Sequence, residues 1–591
     1  MIRRRARGIL LVIIALELAG SALVLWWLFG PQGEQAPDGS GTGPLLEKRP
    51  LAEPATVATH EPQQPPEPVA GTMGESPARH ETATPEAVEL QPVSIWLARD
   101  LPAPLREPLQ AWVAEQPTER TWAQSPDANV TVDWEKRLGA RLLAEVVLVP
   151  VVPFSSLQED IEAEQLRRLW LGEPGPRDML AHLLVAPETA AALDILLGPH
   201  STQAAVTIVP AAELATGLWA EPGALAIVPF DRLEPQLRAL SVDGLSVLEP
   251  ELDLRDYPLV ASVWVKGSRD LTQALTAEID ERELAINRHP DHMTVLMMTG
   301  VTALTRGVAW QIEQHGDYAW PAWPLAELLS SADLTHISNE VSFKTGCVAQ
   351  LETSTFCARP EYLETLRLVG ADLIELTGNH NIDFGRQPAL QSLDLYAEVG
   401  MHTFGGGRNL EEACCPLVIT HNGNRLAFLG YNQFGPEYAW ATAERPGAAR
   451  FSREGLQADL AQVRPKADVV FVNIQHTETY TPFPLPDQVT HFRWAVDAGA
   501  DVVTGSQAHQ PQAIEFYDGR PIFYGLGNLF FDQTWSDPTR QGLIVRHVIH
   551  DGQLIASQPI PVAISAQFQT YPARGEEKEA ILQMVFDASG W

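Results

Sequence analysis

Apolar and polar positions divide the chain into zones with different periods. An unbroken apolar run spans Gly8 to Gly30, preceded by Arg3, Arg4, Arg5 and Arg7 and closed by Trp26, Trp27 and Phe29. About 23 apolar residues make roughly 34 Å of helix, enough to cross a hydrocarbon core of about 30 Å. Basic residues stay inside and aromatic residues favour the interface. The run therefore reads as a single-pass anchor in the cell membrane that leaves the bulk of the chain extracytoplasmic. Glu17 is a cost within the run that the surrounding Leu, Ile and Val outweigh. Residues 31–91 are rich in Pro, Gly, Glu and Thr and poor in apolar residues, which predicts a disordered, semi-extended spacer.

From Pro92 the pattern becomes that of globular protein. Val93–Leu97 reads as a strand and Pro104–Glu115 as a helix. The apolar runs Glu145–Val152, Ala205–Val209 and Ala224–Val228 alternate with helical patterns, so residues 92–285 form an α/β domain. A second α/β domain is expected over 293–572, followed by a tail, 573–591, in which Glu576–Trp591 reads as an amphipathic helix or extension. Too long for one core, 591 residues imply several domains.

Charge narrows the partners. A formal net charge of −34 argues against nucleic acid, which needs clustered Lys and Arg. It argues equally against anionic lipid, except at the basic N-terminus. Cys347 and Cys357 can close a short loop as a disulfide. Cys414 and Cys415 are adjacent, leaving a vicinal bridge or pairing elsewhere, and the spacing alone does not decide the connectivity. There is no G-x-S-x-G element and no P-loop, so serine-nucleophile and nucleotide-triphosphate chemistry have no support.

The second domain repeats one form four times: an apolar strand, then polar groups in a loop. The segments are TVLMMTGVTALTRG (294–307), ADLTHISNEVSF (332–343), ADLIELTGNHNIDFG (371–385) and the block from Ala500 to Gln533. They deliver Asn339 and Glu340; Asn379, His380 and Asp383; and Gln507 and His509. Sites of open α/β sheets gather at the carboxyl ends of strands, and Asn, His and carboxylates are the donors that hold divalent metals.

These segments resemble the CapA (poly-γ-glutamate capsule biosynthesis) family. GNHNIDFG (378–385) is similar to its NNH-x-x-D-x-G signature. The block around GADVVTGSQAHQP resembles its GADVVIG-x-HPH segment, and GLGNLF, with Asn528, its SLGNF element. FGGGRNLEEACCPLVITHNGNRLAFLGYN (404–432) matches the stretch between. The resemblance implies a calcineurin-like metallophosphoesterase fold, a layered α/β sandwich with metals at the strand ends. It implies that His380 is a general acid or transition-state stabiliser, with Asp383 in the same catalytic role. Glu340, Asn379, His509, Gln507, Gln475 and Glu478 would surround the metal, with His476 and Asn528 in the same pocket.

Three departures stand out. The family's metal-binding Asp after Gly300 is Val301, its H-P-H becomes Gln507-Ala508-His509, and alignment of QHTETYTPFP (475–484) puts Gln475 at an expected His. His476 comes one residue late, on the other face of a strand. Amides are weaker ligands than imidazole, so the expectation is one divalent ion or none.

The first domain looks like the phosphate-binding branch of periplasmic substrate-binding proteins, through VVLVPVVPFSS, EQLRRLWLGEP and PGALAIVPFDRLEPQLRALSVDG. That resemblance makes Ser155 and Ser156 candidate anion donors. Together these readings predict a membrane-anchored protein of capsule or envelope polymer biosynthesis, with a metal-assisted hydrolase or transferase site acting on an anionic polymer. The alternative is a non-catalytic protein that binds a small anion or a partner through a degenerate pocket.

Overall fold

The computed structural model describes residues 92–173, 182–202, 205–221 and 223–591. The expected anchor, 1–30, and spacer, 31–91, lie outside the described residues. Among the described residues no helix is long and apolar enough to cross a membrane.

The N-terminal α/β lobe is built on one mixed sheet. Its strands run in the order Arg120–Trp122, Val93–Leu97, Val130–Asp133, Val260–Lys266, Arg141–Pro153, Ala224–Pro229, His182–Val185 and Val206–Ile208. The long strand Arg141–Pro153 carries the run Val146–Val152, buried throughout, which is how a strand covered on both faces reads in sequence. The predicted helix near Pro104 forms as Ala103–Ala114, with Leu105, Leu109, Trp112 and Val113 on its buried side. Ser155 and Ser156 do not reach a helix N-terminus. They sit in the turn that ends Arg141–Pro153, where the Ser156 hydroxyl accepts from the Gln158 amide, and the next helix starts only at Ala163.

The C-terminal lobe has two main sheets. In one, the strands run His402–Phe404, Leu373–Glu375, Leu334–Asn339, Met293–Thr299, Gln541–His550, Gln553–Ile564 and Thr570–Pro572. In the other they run Leu417–His421, Asn424–Asn432, Val469–Thr479, Val502–Ala508, Arg520–Phe523 and Ile514–Tyr517. The sheets face each other through a shared core to which Leu296, Met298 and Phe404 contribute from one side and Phe428, Phe471 and Phe523 from the other. Helices Arg306–His315 and Arg386–Glu398 cover the outer face of the first sheet, and Arg453–Val463 and Pro486–Asp497 that of the second. The result is a layered α/β sandwich.

Cys347 and Cys357 are bonded to each other, with Cα atoms 6.0 Å apart. Cys414 and Cys415 remain free thiols, so neither the vicinal bridge nor pairing elsewhere is adopted. Residues Gly575–Ser589 form a helix that buries Ile581, Leu582, Val585 and Phe586 against the sandwich.

Candidate functional site

The polar loops meet where the carboxyl ends of both sheets come together. Glu340 follows Leu334–Asn339, and Asn379 and His380 follow Leu373–Glu375, the two loops joined by a parallel bridge between Val341 and His380. From the second sheet come Gln475, within Val469–Thr479, and Gln507, at the end of Val502–Ala508. The approach of the two loops depends on Gly378, since a Cβ there would fall 2.2 Å from the Glu340 Cα. Gln507 holds φ at +76°, an uncommon conformation for a residue with a Cβ, and one that clusters at functional sites.

The floor of the site is a buried amide network. Gln475 Nε2 donates to Gln507 Oε1 at 2.8 Å and to Asn379 Oδ1 at 3.1 Å, with Glu340 Oε2 at 3.5 Å. Gln475 Oε1 in turn accepts from Asn432 Nδ2 at 2.5 Å. Asn432 is fixed by its Thr377 carbonyl acceptor and by donors from the Gly435 amide and the Trp440 indole. An N–H donor therefore points at three oxygens that would otherwise converge on a cation. Val301, in the place of the family's carboxylate, is buried and lies in a short strand register with Ser338 and Asn528. This donor set does not suit a pair of divalent ions, which need anionic oxygens and imidazoles around a shared centre. Burial pushes the Glu340 carboxyl up to about 7, with the Glu478 and Asp383 charges adding to it against His380 and Arg306.

The rim carries the charges. His380 Nδ1 bonds Asp383 Oδ2 at 2.7 Å, and the same oxygen accepts the Phe356 amide at 2.7 Å. The His380 ring lies 4.0 Å from that of Phe356. Burial alone would depress the imidazole, but the bond to Asp383 and the charges of Glu340, Asp383 and Glu478 outweigh it and raise its pKa. His509 is the opposite case. Fully buried, it is lowered to about 4 and is neutral at physiological pH. Its Nδ1 bonds Asn528 Oδ1 at 2.9 Å, while Asn528 Nδ2 donates to the Thr539 carbonyl. That oxygen must accept, so His509 keeps its proton on Nδ1 and its lone pair on Nε2.

Two sequence expectations land elsewhere. His476 is not in the pocket: strand alternation turns it toward the helix Pro486–Asp497, where its Nε2 meets His491 Nδ1 at 3.0 Å. Glu478 stands at the exposed mouth, bonded to the Tyr480 hydroxyl, rather than among the amides. Asn432 in the floor and Arg306 at the rim escaped the sequence reading. Arg306, at φ +46°, is ion-paired with Asp532 and sits over the rings of Phe356 and Phe531 at 4.9 and 4.8 Å. Its charge acts on Glu340, His509 and Tyr480. The signal in sequence was the TRG that opens its helix, which reads equally well as a solvated helix start.

Fold and site together define a layered α/β protein with a polar pocket at its strand ends, charged at the rim and neutral at the floor. Residues 295–533 match the family described as bacterial capsule synthesis protein PGA_cap. The chain is similar to the capsule biosynthesis protein CapA of Bacillus anthracis, 30% identical over 202 residues, covering 34% of this chain and 49% of that one. It is also similar to the PGA biosynthesis protein CapA of Bacillus subtilis, 28% identical over 193 residues, covering 32% and 51%. The chain thus spans about half the length of these curated relatives. Among solved structures, the 5'-nucleotidase precursor of Thermus thermophilus aligns over 50% of this chain and 58% of its own, at 11% identity and a TM-score of 0.30. A likeness that low carries no argument.

Proposed function

We propose that this chain is an accessory protein of capsule or envelope polymer biosynthesis, held at the cell membrane by residues 8–30. In this reading its CapA-like pocket binds its ligand without a metal ion. The observation that carries this is the Gln475 amide: it donates toward Asn379, Gln507 and Glu340, so the centre is filled by a hydrogen-bond donor instead of awaiting a cation. The names of the relatives supply the polymer class. What the pocket retains is the rim, where, against burial, the bond to Asp383 and the neighbouring carboxylates favour the protonated imidazole of His380 and Asp383 fixes its orientation. His380 is positioned to donate that proton, or a charge-assisted hydrogen bond, to a group arriving from solvent. Asp383 and the Phe356 amide keep the ring from turning away. Arg306, held by Asp532, favours the ionised form of Glu340 beneath it, against the effect of burial.

A second reading, a hydrolase or transferase assisted by one ion, draws on the Nε2 of His509, whose Nδ1 is taken up by Asn528, together with Glu340 and Asn379. It requires Gln475 to turn its amide over, which would break the bond from Asn432.

Cells lacking the protein are expected to carry less surface polymer, and re-expression of the full chain to restore it. Restoration by His380→Ala as complete as by the natural chain, at equal protein level, would show that the pocket plays no part.

A further inference from the structure

Loops that carry site residues also expose six aromatic side chains: Phe384, Phe434, Tyr438, Tyr480, Phe483 and Trp535. Isolated exposed aromatics are ordinary, but a group around one pocket calls for a ligand. Tyr480 and Trp535 have ring centroids 5.8 Å apart and planes inclined at 58°, the two walls of an open corner. Tyr480 is braced from behind by His509, with centroids 5.7 Å apart. At the base of the corner the Glu478 carboxylate accepts the Tyr480 hydroxyl, and among the described residues no Lys or Arg pairs with it.

The charge balance selects the ligand. Near the mouth, Arg306 is neutralised by Asp532 and His380 by Asp383. Glu478 is left over, within a chain whose formal net charge is −34. The acid groups of an anionic polymer would be repelled by Glu478, so an amine of the segment or precursor, not its acids, is the group that seats there. A cation would gain twice, from the ring faces and from the carboxylate.

We propose that Tyr480, Trp535 and Glu478 form a subsite for a primary ammonium group borne by the polymer segment or precursor that the pocket receives. The inference rests on the pocket reading above and names the chemistry of its ligand. A primary ammonium fits better than a quaternary one, because Glu478 accepts N–H bonds that a methylated nitrogen cannot offer.

The test titrates the full-length protein in detergent with glucosamine and with N-acetylglucosamine, which differ at the amine, following heat and tryptophan fluorescence. Glucosamine is expected to bind at least about tenfold more tightly, in proportion to a charge-assisted bond, and to weaken as salt rises. Glu478→Gln should cost about tenfold in glucosamine affinity, and Trp535→Ala about threefold to fivefold, the worth of an exposed cation–π contact. Equal binding of the two sugars, no saturable binding of glucosamine, or unchanged affinity in folded Glu478→Gln protein would each overturn the proposal. Binding is read on purified protein and polymer output in cells, so the two readings fail separately. Selective glucosamine binding beside normal polymer output in the His380→Ala strain supports the subsite and removes the polymer role. Absent binding beside reduced output removes the subsite alone.

Discussion

The floor and the rim of the pocket are built from the same loops, yet they hold opposite kinds of chemistry. At the floor, Gln475, Gln507, Asn379 and Asn432 satisfy one another as neutral amides. At the rim, His380 pairs with Asp383 and Arg306 with Asp532, in contact with solvent or near it. A metal centre needs its charges at the floor, whereas recognition of an incoming group needs them at the rim. The difference teaches that a pocket can lose the first function residue by residue and keep the second, because separate hydrogen-bond networks hold the two.

The largest effect expected from breaking that comparison is at the floor. Gln475→Leu leaves Asn379 Oδ1 and Gln507 Oε1 buried without their donor, which costs about 2–5 kcal/mol of stability. Urea unfolding measures it, and a cost below about 0.5 kcal/mol would mean that the amides do not form a network.

Next comes Glu340, whose carboxyl burial raises to about 7 from the ordinary 4.5 of a glutamate. A raised acid holds its proton longer in the folded state, so its contribution is complete below about pH 4.5 and is lost as pH rises through 7. Glu340→Gln removes that loss and is expected to gain about 2–3 kcal/mol at pH 8 and nothing at pH 4. A gain independent of pH would show that Glu340 titrates alike in the folded and unfolded chain, with no shift from burial.

The smallest effect lies at the rim. Asp383→Asn should lower the His380 pKa while costing about 1–2 kcal/mol, through weakened bonds to His380 and the Phe356 amide. Titration of the His380 ring by NMR distinguishes this from an unchanged imidazole, which would place its proton under other control.

How far the sequence revealed these features follows from the range of the forces involved. The strands near Val93 and Ala224 and the residues Glu340, Asn379, His380, Gln507 and His509 were legible, since apolar runs and loop motifs are local patterns. Asn432 was not singled out, because only the parallel pairing of its strand with Val469–Thr479 sets it beside Gln475. Arg306 was missed because a basic residue at a helix start has no local mark of burial against Phe356 and Phe531. Ser155 and Ser156 were named as candidate anion donors from a resemblance, and the structure places them in a turn ahead of the helix that starts at Ala163. At His476 alternation along the strand foretold that it could not stand in for Gln475, and it faces His491 across the outer helix layer.

The central claim, that an amide donor takes the place of a cation at the floor, is tested most directly by equilibrating the purified chain with Mn²⁺ and measuring bound ion and melting temperature together. The account predicts no retained ion and no rise in melting temperature for the natural chain. Stoichiometric Mn²⁺ retained by the natural chain, with a melting temperature raised by several degrees as mass action on a folded-state ligand demands, would contradict it.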